Sequence, residues 1–211
     1  MILCFAIPKL LFTLVSLVGL AMRALSPVAW RAANVVALLI AVSVVGIVVY
    51  GLCAGWRRLT VKEVELRFAD LPQQFDGYRI VQMSDMHIGT YHAAPEAVKR
   101  IVEEVNALQP DMICFTGDLV NSSPAELDIF DDDLSRLKAK DGVFSIMGNH
   151  DYCMYNRHSS QTARMKAIAE VKARERRYGW QLLLNEHKVV HRGGDSIAII
   201  GVENSSRPPF P

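Results

Sequence analysis

The sequence predicts an α/β protein that begins with two transmembrane helices. The α/β class follows from the region after residue 77, where apolar, β-branched segments alternate with amphipathic helical segments about every 30 residues. Such alternation predicts parallel strands joined by right-handed crossovers. The membrane helices follow from the region before residue 56, which contains no acidic residue and is rich in long apolar runs.

The segment Asn34–Gly55 is the stronger membrane candidate because it carries no charged side chain. At a rise of about 1.5 Å per residue, roughly 20 apolar residues cross the hydrocarbon core of a bilayer. The aromatic and basic residues expected at a membrane surface follow at once, as Trp56, Arg57 and Arg58. A buried helix of a soluble core is the less favoured alternative, since such helices average about 11–12 residues.

Residues 1–22 form a second membrane candidate, which Pro8 and Lys9 interrupt. We expect a membrane helix here instead of a signal peptide, because one basic residue precedes the apolar run and no small-residue cleavage site follows it. Residues 1–56 are therefore interpreted as a multi-pass membrane anchor with a loop at residues 23–33. The basic residues after the second helix outnumber those in the loop, which favours the cytoplasm for the rest of the chain.

Residues 57–77 are predicted to be a linker and a lead-in strand. The segment YRIVQMSD, residues 78–85, has the composition of a strand that ends in polar residues. A helix is predicted over residues 94–108, since its apolar residues share one face: Val98, Ile101, Val102, Val105 and Leu108. DMICFTGD, residues 111–118, is the next predicted strand.

A capping box of Ser123 and Glu126, with Pro124 at the first helical position, predicts the start of another helix. Its apolar stripe consists of Leu127, Phe130, Leu134 and Leu137. GVFSIMGNHD, residues 142–151, is the third predicted strand, and a helix over about residues 161–177 follows. Two or three strands are expected within WQLLLNEHKVV and SIAIIGVEN, joined through RGGD, with antiparallel pairing added near the C-terminus.

Each of the three predicted parallel strands is followed by potential ligands. Asp85 and His87 come after the first strand, Asp118 after the second, and Asn149 with His150 after the third. In open α/β sheets the carboxyl ends of the strands border one crevice, which is where ligands bind. Glycines before Asp118 and Asn149 permit tight turns and close backbone approach. We therefore expect one site built from three strand ends.

Carboxylates clustered in a semi-buried crevice repel one another and lose hydration, and a divalent cation offsets both costs. Mixed oxygen and imidazole ligands favour Mn, Fe, Co, Ni or Zn over calcium. A carboxylate between two such ions would complete a two-metal hydrolytic centre for phosphate esters. Each motif alone is more often a turn, so the prediction rests on the ordered set.

The motifs DMH, GD and GNHD resemble those of the calcineurin-like metallophosphoesterases, over residues 78–211. The membrane helices and IAIIGVEN resemble the branch that contains transmembrane metallophosphoesterases and lipid-pathway phosphohydrolases. The resemblance implies a sandwich of mixed sheets flanked by helices and a phosphohydrolase with two divalent metal ions. Its substrate would be a phosphomonoester or phosphodiester, lipid-linked or nucleotide-linked, cleaved by a metal-bound hydroxide beside the lipid bilayer.

The resemblance also implies a role for each matching residue. Asp85 and His87 would bind the first ion, Asp118 would bridge both ions, and Asn149 would bind the second. His150 would protonate the leaving alkoxide or stabilise the transition state, with Asp151 orienting its ring. An unligated imidazole is free for acid–base work, which agrees with this division.

The family pattern continues with a lone histidine and a G-H-x-H motif, and neither follows GVEN in this sequence. The resemblance thus implies three further histidine ligands, and we expect residues 78–211 to be an incomplete domain, truncated before those motifs. His187 and His191 precede GVEN and are expected to be exposed strand or turn residues. The alternative function is a catalytically impaired membrane protein that retains half of the metal site.

Composition and motifs disfavour other classes of function. The net charge of +1 gives no general basis for nucleic-acid binding, and no nucleic-acid partner is expected. No glycine-rich phosphate loop follows any predicted strand, which disfavours a nucleotide-binding module. The four cysteines form no CxxC pair, which disfavours a zinc knuckle or a disulfide framework.

Overall fold

The computed structural model describes residues 2–24, 26–55, 59–157 and 160–204. Trp56, Arg57 and Arg58, which the sequence places at a membrane surface, lie outside these residues. The chain divides into two compact units, Met1–Glu63 and Val64–Pro211.

The first unit is a pair of apolar helices, α1 (Ile2–Met22) and α2 (Pro27–Cys53). The start of α2 lies well before the predicted Asn34, because Ser26 and Pro27 form a helix start: the Ser26 side chain accepts a hydrogen bond from the Ala29 N–H at 3.3 Å. The expected loop is correspondingly shorter. Both helices are long and apolar enough to cross a membrane.

Small and polar residues bring α1 and α2 together. The Ser16 hydroxyl donates to the Asn34 side-chain oxygen at 2.8 Å. A Cβ atom at Gly19 would lie 2.5 Å from that of Ala33, so the two backbones approach more closely than larger residues allow. Interhelical hydrogen bonds and small residues are the contacts that hold helices together in lipid, where the hydrophobic effect does not.

The lead-in strand predicted between residues 57 and 77 is absent from the described part of that segment. Residues 59–68 form no helix or strand and are exposed, and the segment ends in a short 3₁₀ helix, Gln73–Phe75. Its apolar residues suit a strand, but no described strand pairs with them. Phe75, in contrast, is buried and anchors the segment to the domain.

The centre of the second unit is a four-stranded parallel sheet in sequence order. Its strands are β1 (Ile80–Met83), β2 (Met112–Phe115), β3 (Val143–Ser145) and β4 (Gln181–Leu182). Met83 is opposite Phe115, and Phe115 is opposite Ser145, so the carboxyl ends of β1 to β3 are level. This register brings the polar segments that follow the three strands to one edge of the sheet.

The crossovers contain α3 (Glu96–Ala107), α4 (Asp131–Leu134) and α5 (Gln161–Arg177). The capping box is present, but the helix that follows it is short: a 3₁₀ turn, Pro124–Leu127, and then α4 replace the predicted single helix. The predicted stripe is nevertheless buried in the core. Burial of these side chains therefore follows the predicted spacing although the backbone between them does not stay helical.

A hairpin of β5 (Glu186–Arg192) and β6 (Asp195–Gly201) forms a second, antiparallel sheet. Val190, on the buried face of this hairpin, belongs to one hydrophobic cluster with Met112 and Phe144 of the parallel sheet. His187 and His191 are exposed on β5, as predicted. The result is the expected α/β arrangement of mixed sheets flanked by helices.

Candidate metal centre

Backbone hydrogen bonds join the segment after β1 to the segment after β2. The Asp85 N–H donates to the Gly117 carbonyl and the His87 N–H to the Asp118 carbonyl, both at 3.0 Å. The loops are thus fastened together at the same edge of the sheet, and the side chains that they carry are placed relative to one another by the backbone.

Three site residues have left-handed backbone conformations. The φ angles are 53° at Asp85, 44° at His87 and 59° at Asp118. Such conformations cost of the order of 1–3 kcal/mol each in a non-glycine residue, and they persist where surrounding structure enforces them. Their concentration at the ends of two adjacent strands coincides with the location predicted for the site.

The glycines of the GD and GN motifs allow the second and third loops to touch. A Cβ at Gly117 would lie 2.3 Å from the Gly148 nitrogen, and a Cβ at Gly148 would lie 2.2 Å from Asp118 Oδ1. Neither contact is sterically possible for a larger residue. Close backbone approach, rather than turn geometry alone, therefore explains both glycines.

Imidazole and carboxylate groups converge above these loops. His87 Nε2 is 3.8 Å from Asp85 Oδ1 and 3.9 Å from Asp118 Oδ2. His87, Asp118 and His150 each offer a donor atom, and these atoms lie within 4.8 Å of one another. This donor set, nitrogen and oxygen together in a partly buried position, fits a divalent transition metal. The other carboxylate oxygen, Asp118 Oδ1, accepts the His150 N–H at 2.9 Å and is thereby fixed.

The orientation of the His150 ring is set by a backbone carbonyl. His150 Nδ1 lies 2.6 Å from the Asn121 carbonyl oxygen. A carbonyl can only accept, so Nδ1 carries the proton, and Nε2 of the neutral ring is left available. The ring also makes an edge contact with His87, with centroids 4.5 Å apart.

The expected role of Asp151 in orienting His150 is wrong. Its buried carboxylate instead accepts four backbone N–H groups, at distances between 2.7 and 3.1 Å: Asp118, Leu119, Val120 and Gly148. Burial raises the pKa of Asp151 to about 6, and the N–H donors oppose that rise. Asp151 therefore joins the loop after β2 to the loop after β3.

Asn149 is placed by a residue that sequence reasoning missed. Its Nδ2 donates to the Tyr155 hydroxyl at 2.9 Å, and the Tyr155 ring stacks on His150 with centroids 4.3 Å apart. Asn121 was missed as well. Neither residue belongs to a sequence motif. Asn121 acts through its backbone carbonyl, and Tyr155 reaches the site because its loop folds back. The structure thus brings together Asp85, His87, Asp118 and His150, with Asn149 tied to His150 through Tyr155.

The family model for the calcineurin-like phosphoesterases matches residues 78–207. The chain belongs to this family. The match includes β1 to β6 and every residue of the candidate centre. The recognition made from the three motifs is therefore confirmed, and hydrolysis of phosphate esters is the activity of the family. No solved structure matches the chain.

Several curated proteins are similar to the chain. A transmembrane protein with metallophosphoesterase domain from Danio rerio is 36% identical over 49% of this chain and 24% of its own length. The UDP-2,3-diacylglucosamine pyrophosphatase LpxG of Chlamydia trachomatis is 39% identical over 41% of this chain and 27% of its own length. The metallophosphoesterase YkuE of Bacillus subtilis is 35% identical over 40% of this chain and 30% of its own length. The chain thus spans about a quarter of the length of these relatives.

Proposed function

We propose that this protein is a membrane-anchored, metal-dependent phosphohydrolase that cleaves a phosphomonoester or phosphodiester. The observation that carries the proposal is the convergence of potential ligands from Asp85, His87 and Asp118, with the His150 ring beside them, at the carboxyl edge of the parallel sheet. The left-handed backbone at three of the loop residues supports it, because such conformations in residues other than glycine cluster at functional sites.

The proposed ligands are Asp85 and His87 for one divalent ion, Asp118 as the bridge, and Asn149 for a second ion. The two Asp118 oxygens suit this role: Oδ2 faces His87, while Oδ1 is held by the His150 N–H. When bound, a pair of divalent ions activates water as a nucleophile and neutralises developing charge on the phosphate. Mn, Fe, Co, Ni or Zn match this mixture of donors.

The protein's own contribution to the reaction centres on His150. Because Nδ1–H is engaged by the Asn121 carbonyl, Nε2 is the atom through which His150 would act on the substrate. In its doubly protonated, imidazolium form, His150 would give the Nε2 proton to the leaving alkoxide or stabilise charge on the phosphoryl oxygens, and it would keep the Nδ1 proton. Asp151 contributes indirectly: by binding the N–H groups of Asp118 and Gly148, it fixes the loops that carry the bridging carboxylate and Asn149.

The two apolar helices would make this a multi-pass protein in which both ends of the helix pair lie on one side of the membrane. Excess basic residues after α2 favour the cytoplasmic side for the catalytic unit. Anchoring favours a substrate in or near the bilayer. The similarity to a UDP-2,3-diacylglucosamine pyrophosphatase supports a lipid-linked or nucleotide-linked phosphate ester as that substrate.

Metal content and hydrolysis test the proposal on the full chain in detergent micelles. After metal removal and titration with Mn²⁺, we expect two ions per chain and hydrolysis of bis(p-nitrophenyl) phosphate. Asp118→Asn should abolish turnover and weaken binding of both ions, whereas Asp132→Asn, an exposed carboxylate on α4, should change neither. His150→Ala should keep the ions and lose about 10²–10⁴-fold in turnover, as is typical of a missing general acid.

The same measurements distinguish the proposed function from the alternative function. A single ion per chain with no turnover would support a catalytically impaired membrane protein with half of the metal site. No ion at all would overturn the proposal.

A further inference from the structure

We propose that Tyr155 is a positioning residue of the metal centre, whose hydroxyl fixes the amide of Asn149 and whose ring fixes the imidazole of His150. This inference rests on the proposed function, since it concerns how the same site is held for metal binding and proton transfer. No sequence motif indicates it, and it follows from two contacts made by a single side chain.

The local backbone explains how Tyr155 reaches the site. After the 3₁₀ turn His150–Tyr152, Cys153 has a left-handed conformation with φ of 54°, and its N–H donates to the His150 carbonyl at 2.9 Å. The turn reverses the chain immediately after GNHD. Tyr155 is thereby brought back over His150, although more than half of its surface is exposed.

The hydroxyl oxygen of Tyr155 accepts a hydrogen bond from the NH₂ end of the Asn149 amide. The Nδ2 atom donates to Tyr155 Oη at 2.9 Å, so the carbonyl oxygen Oδ1 is the end that remains for a cation. The opposite flip would present an NH₂ group, which has no lone pair suited to a cation. A neighbour that accepts from Nδ2 therefore keeps the ligand atom in place, as hydrogen bonds to metal ligands commonly do.

The ring of Tyr155 completes the enclosure of His150. The two rings are nearly parallel, 25° apart in plane and 4.3 Å between centroids. His87 makes an edge contact with the imidazole, and the Asn121 carbonyl binds Nδ1. These contacts leave the imidazole little rotational freedom, which is what a group that must deliver a proton from Nε2 requires.

Two substitutions at Tyr155 separate the two roles in the full chain. Tyr155→Phe removes the hydroxyl and keeps the ring, so we expect about tenfold weaker binding of one Mn²⁺ ion, and turnover that recovers at saturating Mn²⁺. Tyr155→Leu removes both, so we expect the same loss of affinity and, in addition, a turnover about tenfold lower that Mn²⁺ does not restore. Tyr78→Phe is the control, because its hydroxyl donates to Asp141 among the loops at the opposite ends of the strands.

A double-mutant cycle shows whether the hydroxyl acts through Asn149. In an Asn149→Ala background, Tyr155→Phe should leave Mn²⁺ affinity unchanged, because the amide that it orients is gone. Equal losses with and without Asn149 would overturn the assignment, as would full Mn²⁺ affinity in Tyr155→Phe.

A metal-free measurement distinguishes failure of this inference from failure of the proposed function. With ¹⁵N-labelled asparagine, the side-chain NH₂ signals of Asn149 should shift in Tyr155→Phe and stay in place in Tyr78→Phe. If the wild-type chain binds no ion, the proposed function fails and the role of Tyr155 toward a metal fails with it, whereas the NMR shift still reports on the contact. Unshifted signals together with normal metal binding would overturn the inference alone.

Discussion

Raising the pH should destabilise this protein through Glu175, a fully buried residue of α5. One carboxyl oxygen of Glu175 accepts the Ser145 hydroxyl at 2.6 Å, and the other is buried with no hydrogen-bond partner in the described chain. Burial raises the pKa of Glu175 from 4.5 to about 8, and the neighbouring charge of Asp151 adds to the rise. At neutral pH the folded state therefore holds this carboxyl as the neutral acid.

The sign and size of the effect follow from that difference in pKa. Below pH 4.5 both folded and unfolded states bind the proton, so the contribution of Glu175 to stability is fully present. As the pH rises toward 8, the unfolded state releases the proton and the folded state retains it, so stability is lost progressively. At about 1.4 kcal/mol per pKa unit, the loss reaches at most about 5 kcal/mol.

The assay is urea unfolding of the full chain in detergent, followed by Trp180 fluorescence in a chain whose other tryptophans are phenylalanine. We expect the free energy of unfolding of Glu175→Gln to depend less steeply on pH between 5 and 8 than that of the parent. Glu104→Gln, which changes an exposed residue of α3, is the matched control and should follow the parent curve. Identical pH dependence in the parent and Glu175→Gln would refute the reasoning.

Three further predictions concern the loops. Asp151→Asn should lower the free energy of unfolding by about 2–6 kcal/mol, measured by urea titration, because an amide has one acceptor oxygen and leaves two of the four buried N–H groups unsatisfied; an unchanged midpoint would contradict this. Gly148→Ala should weaken Mn²⁺ binding at least tenfold in a metal titration, since its Cβ would collide with Asp118, whereas Gly194→Ala, with open space around it, should bind normally. Ser123→Ala should cost about 1 kcal/mol in thermal unfolding, and no loss would exclude a stabilising cap.

Elements with a continuous periodic pattern could be predicted from the sequence. The helix expected at about residues 161–177 has those bounds in α5, and the strands before Asp85, Asp118 and Asn149 exist, although each is shorter than predicted. The strand ends could be predicted because apolar character changes abruptly to polar at each one. The prediction of the capping box is confirmed because this motif is also local: its two residues, Ser123 and Glu126, lie three positions apart.

Features that depend on distant partners could not be predicted. The segment around Phe68 has strand composition, but a strand also requires a neighbouring strand, and the sequence does not supply that information. The family resemblance assigned Asp151 to the ring of His150, whereas the hydrogen-bond partners of its carboxylate come mostly from another loop. The contact of Tyr155 with Asn149 depends on the left-handed turn at Cys153, which no residue type there indicates.

The parallel order of the sheet has a consequence for biosynthesis. Because β1, β2 and β3 are adjacent in space but each is separated from the next by a crossover, the candidate ligands leave the ribosome one strand at a time. A nascent chain that has exposed Asp85 and His87 still lacks the loops that enforce their backbone conformations. Capture of an ion by Asp85 and His87 is therefore expected only after the loop that carries Gly117 and Asp118 has emerged and paired with theirs.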